Sequence, residues 1–129
     1  MTAKRKIIST QHAPAAVGPY SQAVQIGDLI YSAGQIPLVP ETGKMVEGGI
    51  EAQTRQVMHN LSAVLEAAGS SLSNVIKTTI YVTDLTDFAA INQVYGSFFE
   101  VDPPARSTVQ VVALPLGAQV EIEVVAAVK

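Results

Sequence analysis

Hydrophobic and polar positions along the chain change period several times, and each change marks an element. In "AVQIGDLIYSAG", short apolar runs flank a Gly-Asp pair, which predicts two strands joined by a turn. "PLVPETGKMVEGG" has no period and is dense in turn residues, so it reads as a loop. In "IEAQTRQVMHNLSAVLEAAG", Ile50, Val57, Met58, Leu61, Val64, Leu65 and Ala68 recur at helical spacing, with Gly69 as the C-terminal stop. "NVIKTTIYVTD" alternates, placing Ile76, Thr78, Ile80 and Val82 on one face of a strand. "LTDFAAINQVYGSFF" predicts a second helix with Thr86 as N-cap and Phe88, Ile91, Tyr95 and Phe98 as its stripe. Pro103 and Pro104 are expected to end it. "STVQVVAL" and "AQVEIEVVAAV", split by "PLG", read as the last two strands.

The predicted order is therefore β-β-α-β-α-β-β, in one α+β domain spanning residues 1–129. Two strand–helix–strand units with right-handed crossovers put both helices on one face of a single sheet. In the last strand Val120, Ile122, Val124, Ala126 and Val128 share one face, while Val125 and Ala127 lie on the other beside Glu121 and Glu123. A strand that is apolar on both faces near its end is expected to be covered on both. Nothing in the sequence supplies a third layer, so another subunit is the expected cover. Composition points the same way: 48% of residues are hydrophobic and only 15% charged, which is few for the surface of a small monomer.

Net charge is −3 and the only basic block is "KRK" at Lys4–Lys6, which disfavours generic nucleic-acid binding. There are no cysteines, hence no disulfide, thiol nucleophile or thiolate metal site. The basic N-terminus lacks the apolar run of a signal peptide, and no window reaches the length of a membrane helix, so a cytosolic, soluble chain is expected. His12 and His59 have no partners at metal-ligand spacing and read as structural or solvated. Asp84 and Asp87 frame a helix start and read as capping acids. The glycines at 27, 34, 43, 48 and 49 match neither a phosphate loop nor a dinucleotide fingerprint.

Two features carry candidate chemistry. Arg106, in "DPPARSTVQV", is the only basic residue between Lys77 and Lys129. Spacing leaves it two readings: a minor surface ion pair with Glu100, Asp102 or another acid, or a fork that grips a carboxylate or phosphate bidentately. Glu121 and Glu123 share one face of the final strand beside apolar neighbours. A partly buried carboxylate there can act as a general base or orient a water.

Five segments in order, "APAAVGPYSQAV", "IYSAGQIPLVPETG", "KTTIYVTDLTDFAAIN", "PPARSTVQV" and "VEIEVVA", resemble the Rid (reactive intermediate deaminase, or YjgF) family and its enamine/imine deaminase branch. The resemblance runs from about Ile7 to Val128. It implies a chorismate-mutase-like α+β subunit and a homotrimer with the sheets in a central β-barrel, the helices outside and active sites between subunits. It implies hydrolysis of 2-iminopropanoate and 2-iminobutanoate, formed from enamines released by pyridoxal-phosphate enzymes, to 2-oxo acids and ammonia without metal or organic cofactor. Carried over by position, Arg106 would hold the substrate carboxylate, Glu121 would hold or activate the attacking water, and Tyr20 is the site tyrosine. Ser32 and Asn92 would line the pocket, and the Thr108 backbone would face the substrate's imine or carbonyl. Thr108 stands where a cysteine is common, and Pro103 where a phenylalanine is frequent.

Other readings are a non-catalytic carboxylate-binding regulator of the same fold and an RNA-directed ribonuclease or translation inhibitor. Glu121 beside Arg106 favours the enzyme over pure binding, and the acidic balance disfavours RNA. A ferredoxin-like metabolite-binding domain is the alternative at the level of fold.

Overall fold

A computed structural model of the chain describes residues 4–129. Six strands, β1 (Lys6–Ile8), β2 (Ala23–Ile26), β3 (Leu29–Ser32), β4 (Val75–Val82), β5 (Ala105–Gln110) and β6 (Val120–Ala127), form one sheet in the order β1-β2-β3-β6-β4-β5. Helices α1 (Ile50–Ala67) and α2 (Phe88–Phe98) pack against each other and on the same sheet face. This is the expected single sheet with two helices, plus a three-residue edge strand that a run as short as "KII" does not announce. β4 and β5 are parallel neighbours joined through α2, and every other pairing is antiparallel. Six strands with a parallel pair exclude the four-stranded βαββαβ alternative.

The helix-facing side of the sheet is dry. Ile30, Ile80, Val82, Val120, Ile122, Val124 and Ala126 pack against Val57, Met58, Leu61, Val64 and Leu65 of α1 and Ile91 and Tyr95 of α2. Gly69, at φ 77°, closes α1 in the left-handed conformation, with its own N–H donating to the Glu66 carbonyl and Ser70 N–H to the Leu65 carbonyl.

Three local expectations are corrected. A register shift lies between Val75 and Lys77, so Val75 takes the core position opposite Ala126 and Ile76 turns out to solvent. Thr86 does not cap α2. Asp84 caps a 3-10 turn at Leu85–Asp87 by accepting from Thr86 N–H at 2.9 Å and Thr86 Oγ1–H at 2.7 Å, and Asp87 is the N-cap of α2. The two hydrogen bonds from Thr86 hold the Asp84 carboxyl below its usual range. Finally, α2 ends at Phe98, well before Pro103.

The sheet's other face is open. Across the ladder one row runs Ile7, Val24, Tyr31, Val125, Lys77, Ala105, and the next rows bring Glu123 beside Thr79 and Glu121 beside Tyr81. Ile7, Tyr31 and Val109 on this face are each 42–52% exposed, far above the core. Among the described residues no helix is long and apolar enough to cross a membrane.

Candidate active site

Alternation within the strands decides where the candidate residues point. Arg106 is the second residue of β5 and pairs with Thr78, which faces the helices, so its side chain rises on the helix side. There Arg106 Nη1–H donates to Asn92 Oδ1 at 2.7 Å, and the guanidinium lies 5.3 Å from the Phe88 ring centroid and 5.1 Å from that of Tyr95. Its partner is thus an amide on α2, not Glu100 or Asp102. Thr108 stands on the same face one pair further along, opposite Ile80. Its Oγ1 is buried with no hydrogen-bond partner among the described residues. Because β5 is an edge strand, part of its backbone donors and acceptors also lacks a ladder partner.

Glu121 pairs with Tyr81 on the opposite, open face. It lines a cleft of about 590 Å³ with Tyr20, Gly34, Val17, Ile36 and Leu116. Burial, reinforced by the nearby Glu123 charge, pushes the Glu121 carboxyl above its ordinary range. Tyr81, whose hydroxyl donates to Glu123 Oε1 at 3.4 Å, is likewise pushed up, chiefly by burial. The cleft exists because the β3–β6 ladder breaks after Tyr31. Ser32 Oγ accepts from Val124 N–H at 2.9 Å, Ala33 and Gly34 leave the sheet plane, and Gln35 rejoins at Ile122. Ser32 therefore serves the ladder, and the cleft wall at this point is Ala33 and Gly34. A Cβ on Gly34 would collide with Glu121 Oε2. Tyr20, 49% exposed, stands between this cleft and a second one of about 700 Å³ formed by the loop after β1.

The candidates thus form two groups: Arg106, Asn92 and Thr108 on the helix face, and Glu121 and Tyr20 on the open face. Arg106 is level with Val124 across β4, two strands and three residues from Glu121. Ladder spacings put their Cα atoms about 14 Å apart, with the side chains diverging. A ligand of six or seven heavy atoms cannot touch both within one chain. Of the histidines, His59 packs edge-on against Phe98 at 5.6 Å, a structural place. Sequence reasoning passed over Gly34, Phe88 and Tyr95 as site residues. The positions of Phe88 and Tyr95, four before and three after Asn92, were a usable signal. Nothing local marked Gly34.

Fold and geometry together define an α+β protein that holds a hydrogen-bonded guanidinium on one sheet face and a half-buried carboxyl on the other. Over residues 10–128 the chain matches the family model described as Endoribonuclease L-PSP, and it belongs to this family, the Rid (YjgF) family. It is 48% identical over 122 residues to a mouse protein named 2-iminobutanoate/2-iminopropanoate deaminase, covering 95% of this chain and 90% of that one. It is 49% identical to the chloroplastic Reactive Intermediate Deaminase A of Arabidopsis thaliana over 95% of this chain, and spans 66% of that protein's length. Among solved structures, that of E. coli TdcF with bound serine superposes with a TM-score of 0.91 at 45% identity, over 95% of this chain and 98% of that one.

Proposed function

We propose that the chain hydrolyses small 2-imino acids, 2-iminopropanoate and 2-iminobutanoate, to 2-oxo acids and ammonia, at clefts between neighbouring copies in a homotrimer. The observation that carries this reading is the separation of Arg106 from Glu121 onto opposite faces of one sheet: each is prepared for chemistry that needs the other, and only a second copy can bring one to the other. The open face, with Ile7, Tyr31 and Val109 uncovered, supports its use as the subunit contact, and a closed ring of such sheets would form the inner barrel.

In the assembled cleft Arg106 of one copy grips the substrate carboxylate. It has four N–H donors left after Asn92, enough for a bidentate pair. Glu121 of the neighbour accepts a proton from water as the water oxygen bonds to the imine carbon; the C=N π electrons move to nitrogen, which takes that proton from Glu121 to give the carbinolamine. Glu121 then accepts the hydroxyl proton and passes it to nitrogen, the C=O bond forms, and ammonia departs with the C–N bond pair, leaving the 2-oxo acid. A carboxyl whose pKa is raised is the stronger base for the first step. Tyr20 closes the cleft. Thr108, whose Oγ1 has no hydrogen-bond partner among the described residues, lies one pair beyond Arg106 on the same face, and its backbone would face the imine. The electrophile is reactive already, so holding it and a water together in a shielded cleft supplies much of the acceleration.

The test generates 2-iminopropanoate with an amino-acid oxidase and follows its capture by semicarbazide. Purified protein is expected to suppress the trapped product in proportion to its concentration. Trapping unchanged from buffer rejects the hydrolase.

A further inference from the structure

Arg106 is held more firmly than a single hydrogen bond would hold it. Phe88, Asn92 and Tyr95 occupy positions i, i+4 and i+7 of α2, one stripe of the helix. Both rings of that stripe reach the guanidinium, Phe88 at 5.3 Å and Tyr95 at 5.1 Å from their centroids, while Asn92 between them in the stripe accepts from Nη1–H. Tyr95 is anchored in turn. Its hydroxyl shares a buried 2.8 Å hydrogen bond with Thr78 Oγ1, and its ring packs on Phe99 at 4.9 Å. Thr78 is the ladder partner of Arg106, which ties ring and arginine to the same rung of the sheet.

We propose that Phe88 and Tyr95 are positioning residues that fix the plane of the Arg106 guanidinium, so that its free edge is presented to a carboxylate ready aligned. The inference rests on the proposed carboxylate-binding role of Arg106. Aromatic faces attract the cation without consuming its N–H groups, so the fork is immobilised while its donors stay available. An acid in their place would hold the cation but take up the donors the ligand needs. Burial keeps the Tyr95 hydroxyl neutral against the pull of Arg106 and Thr78, so the ring offers a face and no competing charge. A preset fork spares the ordering of a rotamer-rich side chain on binding, an effect that corresponds to roughly three- to tenfold in affinity.

Phe88 is 39% exposed, so Phe88→Leu removes one ring with little effect on the core. Two readouts apply to the assembled protein. In the ligand-free state, the Arg106 side-chain N–H resonance, assigned by its loss in Arg106→Lys, is expected to be sharp in the parent and exchange-broadened in Phe88→Leu. Calorimetric titration with 2-oxobutanoate is expected to show a Kd about three- to tenfold weaker in Phe88→Leu. Imine turnover is expected to show a matching rise in KM with kcat within twofold, and Phe88→Tyr is expected to restore both. An Arg106 resonance and a Kd unchanged in Phe88→Leu overturn the clamp, whatever the turnover. Parent protein that binds 2-oxobutanoate but turns over no imine overturns the hydrolase and leaves the clamp standing.

Discussion

At Glu121, burial beside Glu123 raises the carboxyl above the glutamate value of 4.5, and that has a consequence for stability as well as catalysis. Between 4.5 and the raised value the folded chain binds more protons than the unfolded chain, so this group's contribution to stability falls as pH rises through that window. Glutamine removes the charge and the penalty together. Glu121→Gln is expected to melt higher than the parent near pH 7, with the gain vanishing below pH 4.5, while imine hydrolysis falls about 100-fold or more. Thermal scans at the two pH values, paired with the trapping assay, check both directions, and a variant less stable than the parent at pH 7 contradicts the assignment of strain to Glu121. Gly34 supplies a second test. A Cβ there meets the flexible end of Glu121 rather than backbone, so the carboxylate can swing aside. Gly34→Ala is expected to change stability by less than about 1 kcal/mol yet lower kcat/KM at least tenfold, since misplacing a reacting group is enough to lose that much.

The elements were legible where periodicity was long and unlegible where one residue decided. The 18 residues of α1 and the eight of β6 lie where the pattern of apolar positions put them, because a full stripe or a full alternation admits one burial solution. The alternation of β4 misassigned Ile76, because a bulge depends on how the partner strand is paired and leaves no mark in the strand itself. The strand predicted over "STVQVVAL" begins two residues earlier, at Ala105, so that it takes in Arg106, and stops at Gln110, leaving Val112 fully exposed. At the end of α1 the left-handed turn at Gly69 has open space around its Cα, so only conformation opposes a side chain. Gly69→Ala is expected to lower stability by about 1 kcal/mol through that strain, seen as a lower urea midpoint at an unchanged slope, with catalysis per folded molecule retained.

For the whole molecule, the division of the site between two sheet faces predicts complementation. Arg106→Lys and Glu121→Gln are each expected to be nearly inactive and to scatter light at three times the 13.6 kDa of one chain. Unfolded together and refolded at equal ratio, they should regain about a quarter of parental activity, the share of head-to-tail interfaces that pair an intact arginine with an intact glutamate. No recovery on mixing would place both groups in one chain's site. The sequence by itself determined the α+β order, the helix stripes, the acidic balance and the motifs of the family, because these depend on residue type and near-neighbour spacing. It also brought Arg106, Glu121, Tyr20 and Asn92 forward as residues to watch. Only the tertiary structure decided that Arg106 donates to Asn92 beside the Phe88 and Tyr95 rings while Glu121 shares a cleft with Tyr20 and Gly34. It also decided that Ser32 belongs to the ladder. The reason is register: which face a strand residue takes, and what stands opposite it, is set by pairing between segments far apart in the chain, and a shift of one residue would reverse every assignment.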